Sequence, residues 1–151
     1  MINIQSYGSI RKYGRVVFFS LLTFGIYYFF YLFWLFRDLD EHFKRAFEVE
    51  AESYPTKINP PTMIIFLILF PIYPIYVKYQ LLHEHIATSN IRGKENCTVA
   101  YEAVVVFLVF GICTLGVLPI IHEHRWQKAF NDHILAHKKH AKRKRRKKRD
   151  G

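Results

Sequence analysis

Eight histidines in 151 residues are the side chains best suited to chemistry in this sequence, and several recur at short spacing. His83-Glu84-His85 and His122-Glu123-His124 each offer imidazole nitrogens and a carboxylate, donors that suit zinc. Neither is HExxH, in which both histidines share one helix face, because residues at i and i+2 point in different directions. His133, His137 and His140 do follow i, i+4, i+7 spacing, a row able to hold a metal at low affinity. Each triplet closes a long apolar run. The ends of consecutive membrane spans lie on opposite faces about 30 Å apart, so only a re-entrant second run would bring the triplets together. The expectation is therefore that the histidines are interfacial or solvated, with neither metal nor cofactor bound. Seven glycines form no GxGxxG or GxxxxGKS/T, and no serine sits in GxSxG. No ionisable side chain falls at the middle of an apolar run, where proton and ion carriers place one. The chain reads as non-enzymatic.

Three apolar runs have to position these residues. A mean hydropathy of +0.02 and a formal charge of +10 hide a segregated chain. Ten of the 22 Lys and Arg residues lie between Lys138 and Arg149, leaving a nearly neutral body. Val16 to Phe36 gives 21 residues without a charge, eleven of them aromatic, about the length that crosses a bilayer core of roughly 30 Å. The second run, about 60–80, carries Pro71 and Pro74, so a bent span and a re-entrant hairpin both satisfy it. Ala103 to Ile121 supplies 19 uncharged residues, with Gly111, Cys113, Thr114 and Gly116 as small surfaces for helix packing. Cys97 and Cys113 make no disulfide framework. Residues 1–15 form a basic N-terminal flank, and no small-residue cleavage site follows the first run, which reads as a retained anchor.

The runs repeat. Phe24-Gly25-Ile26-Tyr27 aligns with Phe70-Pro71-Ile72-Tyr73 at an offset of 46 and with Leu115-Gly116-Val117-Leu118 at an offset of 91. Each run continues as an amphipathic helix: Leu39, Phe43 and Phe47 after the first, Leu82 and Ile86 after the second, Trp126, Phe130 and Ile134 after the third. Asp40–Lys44 and Glu41–Arg45 are i,i+4 ion pairs, and Asn90 and Gly93 are helix-stop residues. Linkers fall at about 53–62 and 90–97. Thr23, Gly25, Ile26, Tyr27 and Trp34, Pro71-Ile72-Tyr73 opening the second span, and Gln127 to Asn131 with Phe130 resemble a family of small membrane proteins called domain of unknown function 4234. In that family a glycine usually stands where Pro71 is, and a leucine where Phe130 is. The resemblance covers about residues 15–131. It implies an uncharacterised integral membrane protein and brings no known active site or substrate.

Lys and Arg counts in the flanks set the orientation. With three spans, one side carries six and the side with the C-terminal segment carries 16, so that segment is expected in the cytoplasm. The tail, Lys138, Lys139, Lys142, Arg143, Lys144, Arg145, Arg146, Lys147, Lys148 and Arg149, is expected to be disordered by self-repulsion. It offers a polybasic surface to anionic lipid headgroups or to a polyanion such as ribosomal RNA. The sequence thus predicts an all-α integral membrane protein: a flank (1–15), a three-span domain (16–137, spans about 16–36, 60–80 and 103–121) and a polybasic tail (138–151). Its expected role is a multi-pass anchor or adaptor in the cell membrane, with homo-oligomerisation open to it. The competing expectations are an oligomeric small transporter or channel and, third, a metal-dependent membrane enzyme.

Overall fold

A threonine and a glycine reverse the chain inside two of the three apolar runs. The computed structural model describes residues 7–50, 59–70, 72–89, 91, 99–114 and 116–150. Within them α1 (Tyr13–Leu22) leads after three residues to α2 (Ile26–Glu50). Thr23 Oγ1 donates to the Phe19 carbonyl at 2.8 Å and accepts the Tyr27 N–H at 2.9 Å, tying off the incoming helix and capping the outgoing one. Gly25 N–H reaches back to the Ser20 carbonyl at 2.7 Å, a Schellman closure, and Gly25 takes the left-handed conformation at φ +89°. Phe24 also lies at positive φ, +49°, a strained position for a bulky residue, and its side chain is 99% exposed.

The third run repeats the device 91 residues on, at the offset read from the sequence. It comprises α5 (Ala100–Val105), a π-helical stretch (Val106–Phe110) and one-turn α6 (Gly111–Cys113), and it turns into α7 (Val117–Asp150). Thr114 Oγ1 donates to Phe110 O at 2.6 Å and accepts Leu118 N–H at 3.2 Å, while Gly116 (φ +82°) bonds Gly111 O at 2.8 Å. In the middle run α3 (Pro60–Leu69) ends at Phe70 and α4 (Ile72–Thr88) begins two residues later. Pro71, which supplies no N–H to a continuing ladder, lies outside the described residues, as do Cys97, Asn90 and Gly93.

All regular structure among the described residues is helical. No described helix is long and apolar enough to cross a membrane. The three spans expected over 16–36, 60–80 and 103–121 are therefore corrected to three helical hairpins, because each run contains a chain reversal. The outgoing helices α2, α4 and α7 run side by side in the same direction. Near their starts the Tyr31 hydroxyl donates to Gln127 Oε1 at 2.6 Å and Lys78 pairs with Glu123; further along, His42, His85 and His133 meet. His42 and His133 each lie 17 residues beyond the glycine of their turn, roughly 25 Å of helix. Each hairpin returns to the end it left.

The amphipathic stripes largely form as expected. Leu39, Phe43, Leu82, Trp126, Phe130 and Ile134 are buried, whereas Phe47 is exposed. Asp40 and Lys44 pair at 2.7 Å; Glu41 pairs with Arg37 and Arg45 with Glu48 in place of the expected Glu41–Arg45 contact. The basic segment, expected to be disordered, continues α7 to Asp150. The cost of nucleation is already met by the buried turns of α7 before it, Lys and Arg are good helix formers, and cations suit a helix C-terminus. Replacing Thr114 with Val removes both side-chain hydrogen bonds of the third turn. We expect a loss of about 1–2 kcal/mol, read as a fall of a few degrees in the thermal unfolding midpoint in non-ionic detergent, with Gly116→Val at least as severe.

Candidate metal centre

His42 of α2, His85 of α4, and His133 and His137 one turn apart on α7 converge in the interior, each at most 2% exposed. One nitrogen from each lies within 4.8 Å of the others. His42 Nε2 is 3.2 Å from His85 Nε2, and His133 Nε2 is 2.9 Å from His137 Nε2. Four imidazoles bound through nitrogen at about 2.0–2.1 Å in a tetrahedron have nitrogens roughly 3.3 Å apart and ring centres roughly 5 Å apart. All six pairs of rings stand at 4.5–5.8 Å between centroids. The four side chains are thus arranged around one point at the spacing of a tetrahedral centre.

The surroundings prepare one ligand further. His42 Nδ1 lies 3.1 Å from the Tyr7 carbonyl, so Nδ1 carries the proton and Nε2 presents its lone pair to the cluster. The Tyr7 ring stacks on His137 at 5.4 Å, and Phe43 and Phe130 pack on His85 and His42. Burial, and then the neighbouring imidazoles, hold His42 well below the ordinary histidine pKa. The same causes push His133 down to about 2. His42 and His133 are therefore neutral near pH 7, as metal ligands must be.

A short segment ahead of α1 seals this end of the bundle. Arg11 donates through Nε and Nη2 to Asp38 Oδ2 at 2.9 and 2.6 Å. Asn131 holds the backbone of Arg11 through both its amide atoms, and Gln127 Nε2 donates to Asn131 Oδ1 at 3.0 Å. Lys138 Nζ donates to the Gly8 carbonyl at 3.2 Å. At φ +96°, Gly8 sits so close that a Cβ there would lie 3.3 Å from Ile134 Cδ1.

The histidines expected to be interfacial or solvated are corrected at His85, His133 and His137, which are buried by the convergence of three helices on one end. His124 and His140 are exposed, and His83 and His122 are half-buried outside the cluster. The two triplets do not meet as triplets; Glu123 instead pairs with Lys78. His42 escaped notice in the sequence. The missed signal is an acid-histidine-apolar triplet recurring on the three outgoing helices: Glu41-His42-Phe43, Glu84-His85-Ile86 and Asp132-His133-Ile134. Of the residues that carry the resemblance noted in the sequence, Thr23 and Gly25 build a turn, Ile26 is exposed beside it, Tyr27 packs edge-on to Trp34, and Gln127 and Asn131 secure residue 11. Lys138 is half-buried, and Lys139, Lys142, Arg143, Lys144, Arg146 and Lys147 are exposed along α7. The side chains of Arg145, Lys148 and Arg149 lie outside the described set. No protein-family model, curated protein or solved structure matches the chain.

An all-nitrogen tetrahedral set suits zinc and neighbouring late transition metals and does not suit magnesium or calcium. Four protein ligands close the coordination sphere, which is the form of a structural centre. Protein loaded with zinc is expected to hold one ion per chain by elemental analysis. His42→Ala or His133→Ala should abolish that stoichiometry, whereas His83→Ala and His140→Ala should leave it intact. The pH dependence has a definite sign. Unfolded histidines take up protons near pH 6.5, but His42 and His133 resist them when folded. Metal-free protein should be most stable above about pH 7 and lose stability progressively as pH falls below about 6.5. A thermal midpoint that rises on acidification from pH 7 to 5 would contradict this.

Proposed function

We propose that this chain is a membrane anchor that inserts into one leaflet, is held together by a four-histidine metal centre and displays a basic helix away from the bilayer. The observation that carries this proposal is the division of exposed surface between the two ends of the bundle. At the turn end, Phe18, Leu22, Phe24, Ile68, Phe70 and Val117 are all exposed apolar side chains. The uncharged stretches beside the turns, such as Ile26–Phe36 and Ala103–Cys113, are 11 residues long. At about 1.5 Å per residue each reaches roughly 16 Å, the depth of one leaflet rather than two. A contiguous apolar surface rimmed by polar groups marks a membrane or protein contact. The membrane role given by the family resemblance fits the same end of the molecule.

Distance favours one of the two partners expected of the basic segment. From Ile121, the last apolar residue of the third tip, to Lys138 is 17 residues, roughly 25 Å along an unbroken helix. That is about three Debye lengths at physiological ionic strength. The cations therefore favour a phosphate-rich macromolecule in the aqueous phase over the headgroups of the same membrane. The metal would supply rigidity: it ties α2, α4 and α7 together immediately before the basic segment begins.

The test combines sidedness with binding. In a chain with Cys97→Ser and Cys113→Ser, Lys12→Cys and Lys139→Cys should both react with an impermeant maleimide from the same side of sealed vesicles; a three-span protein exposes them on opposite sides. In the same preparation, single-stranded RNA should bind with steep salt dependence. Changing Lys139, Lys142, Arg143, Lys144, Arg146 and Lys147 to Gln should flatten the log–log slope by about four. Labelling from opposite sides, or an unchanged slope, overturns the corresponding half of the proposal.

A further inference from the structure

Between the first and third hairpins lies a cleft of about 660 Å3, within the range of small-molecule sites. Val16, Val17 and Leu21 of α1 form one wall, and Phe107, Pro119 and Ile120 form the other. Phe107 belongs to the π-helical stretch, a departure from regular helix that recurs at functional sites.

The cleft is graded along its length. Phe24 and Gly25 of the tip line one end, and Tyr13 and Glu123 line the other. Tyr13 packs 6.0 Å from the His124 ring, which sets this end level with the first polar turn of α7. Between the ends, Ser20 Oγ is buried without a hydrogen-bond partner among the described residues. Glu123 is neutralised by its ion pair with Lys78, and Lys78 also faces the rings of Trp126 at 4.8 Å and Tyr79 at 5.3 Å. An anionic head would meet the carboxylate of Glu123 with its cation already engaged, whereas a hydroxyl can donate to Glu123 and accept from Tyr13.

We infer that this cleft binds a neutral lipid with a hydroxyl head and one apolar chain, the head at Tyr13 and Glu123 and the chain running towards Phe24. The assignment rests on the leaflet-inserted reading for its lipid source. Polar end and apolar end then have the orientation that a lipid of that leaflet has.

The probe is a monoacylglycerol carrying a diazirine in its chain, photolysed with the full zinc-loaded protein in non-ionic detergent and, separately, in vesicles. Crosslinks are expected on residues 13–29 and 107–123, and unlabelled monoolein should suppress them at least tenfold. Val17→Trp and, from the opposite wall, Ile120→Trp should each cut that labelling several-fold. Both should retain one zinc per chain, which verifies the fold. Labelling spread evenly over the three tips, including 60–76, and not suppressed by monoolein overturns the site and leaves only bulk-lipid contact. Equal suppression by oleate overturns the preference for a neutral head. Vesicle flotation of the same samples is read independently. Failure to float refutes leaflet insertion, while the detergent labelling still decides the cleft.

Discussion

Each apolar run contains a point at which the helical hydrogen-bond ladder is broken and re-formed in another direction, and the rest of the molecule depends on that constraint. Thr23 and Thr114 serve both helices of their turns, each satisfying a carbonyl of the incoming helix and an N–H of the outgoing one at an apolar tip. Once all three runs return to the end they left, residues that a three-span chain would hold a bilayer apart become neighbours. Lys78 meets Glu123, and His85 meets His133 and His137. The ion pair and the imidazole cluster are consequences of topology before they are features of chemistry.

These polar contacts do more to specify the arrangement than to stabilise it. A buried ion pair such as Lys78–Glu123 contributes little net free energy against an apolar replacement, yet losing one partner leaves a stranded charge. It fixes α4 against α7 at one register. The Tyr31–Gln127–Asn131 chain does the same for α2 and α7 and extends to Arg11 and Asp38. A metal among the four imidazoles would add a third tie at the far end of the same helices. Its ligands are 43 and 48 residues apart between helices, so binding would close two long loops of chain.

The all-helical class, the 91-residue repeat and the stripes of the outgoing helices were legible in the sequence. Their signals are local: apolar periodicity, and a Gly beside apolar residues at a fixed offset. Whether a run crosses or reverses was not, because 21 uncharged residues satisfy a span and a hairpin equally until the hydrogen bonds of Thr23 are known. That one ambiguity carried into the site. Placing the triplets on opposite faces removed the geometry in which His85 and His133 meet, and it drew attention to His83 and His122, which stay outside the cluster. His42 follows the charged pair Asp40-Glu41 and precedes Phe43, so its neighbours alone do not tell a surface position from a buried one. The tail shows the opposite error. Charge repulsion argued for disorder, but a helix already nucleated by buried turns can continue through a basic segment.

On the leaflet-inserted reading proposed above, the hairpin topology also bears on how the chain would enter a bilayer. A three-span protein must carry at least one hydrophilic loop through the hydrocarbon, and each Lys or Arg costs about 2.5–3.5 kcal/mol at the centre. Here the first hydrophilic connection holds Arg37, Lys44, Arg45 and Lys57, and the second follows α4. With all three reversals at one end, neither has to be translocated. Under that proposal, insertion from one face would need only the apolar tips to leave water, with no charged connection threaded across the membrane.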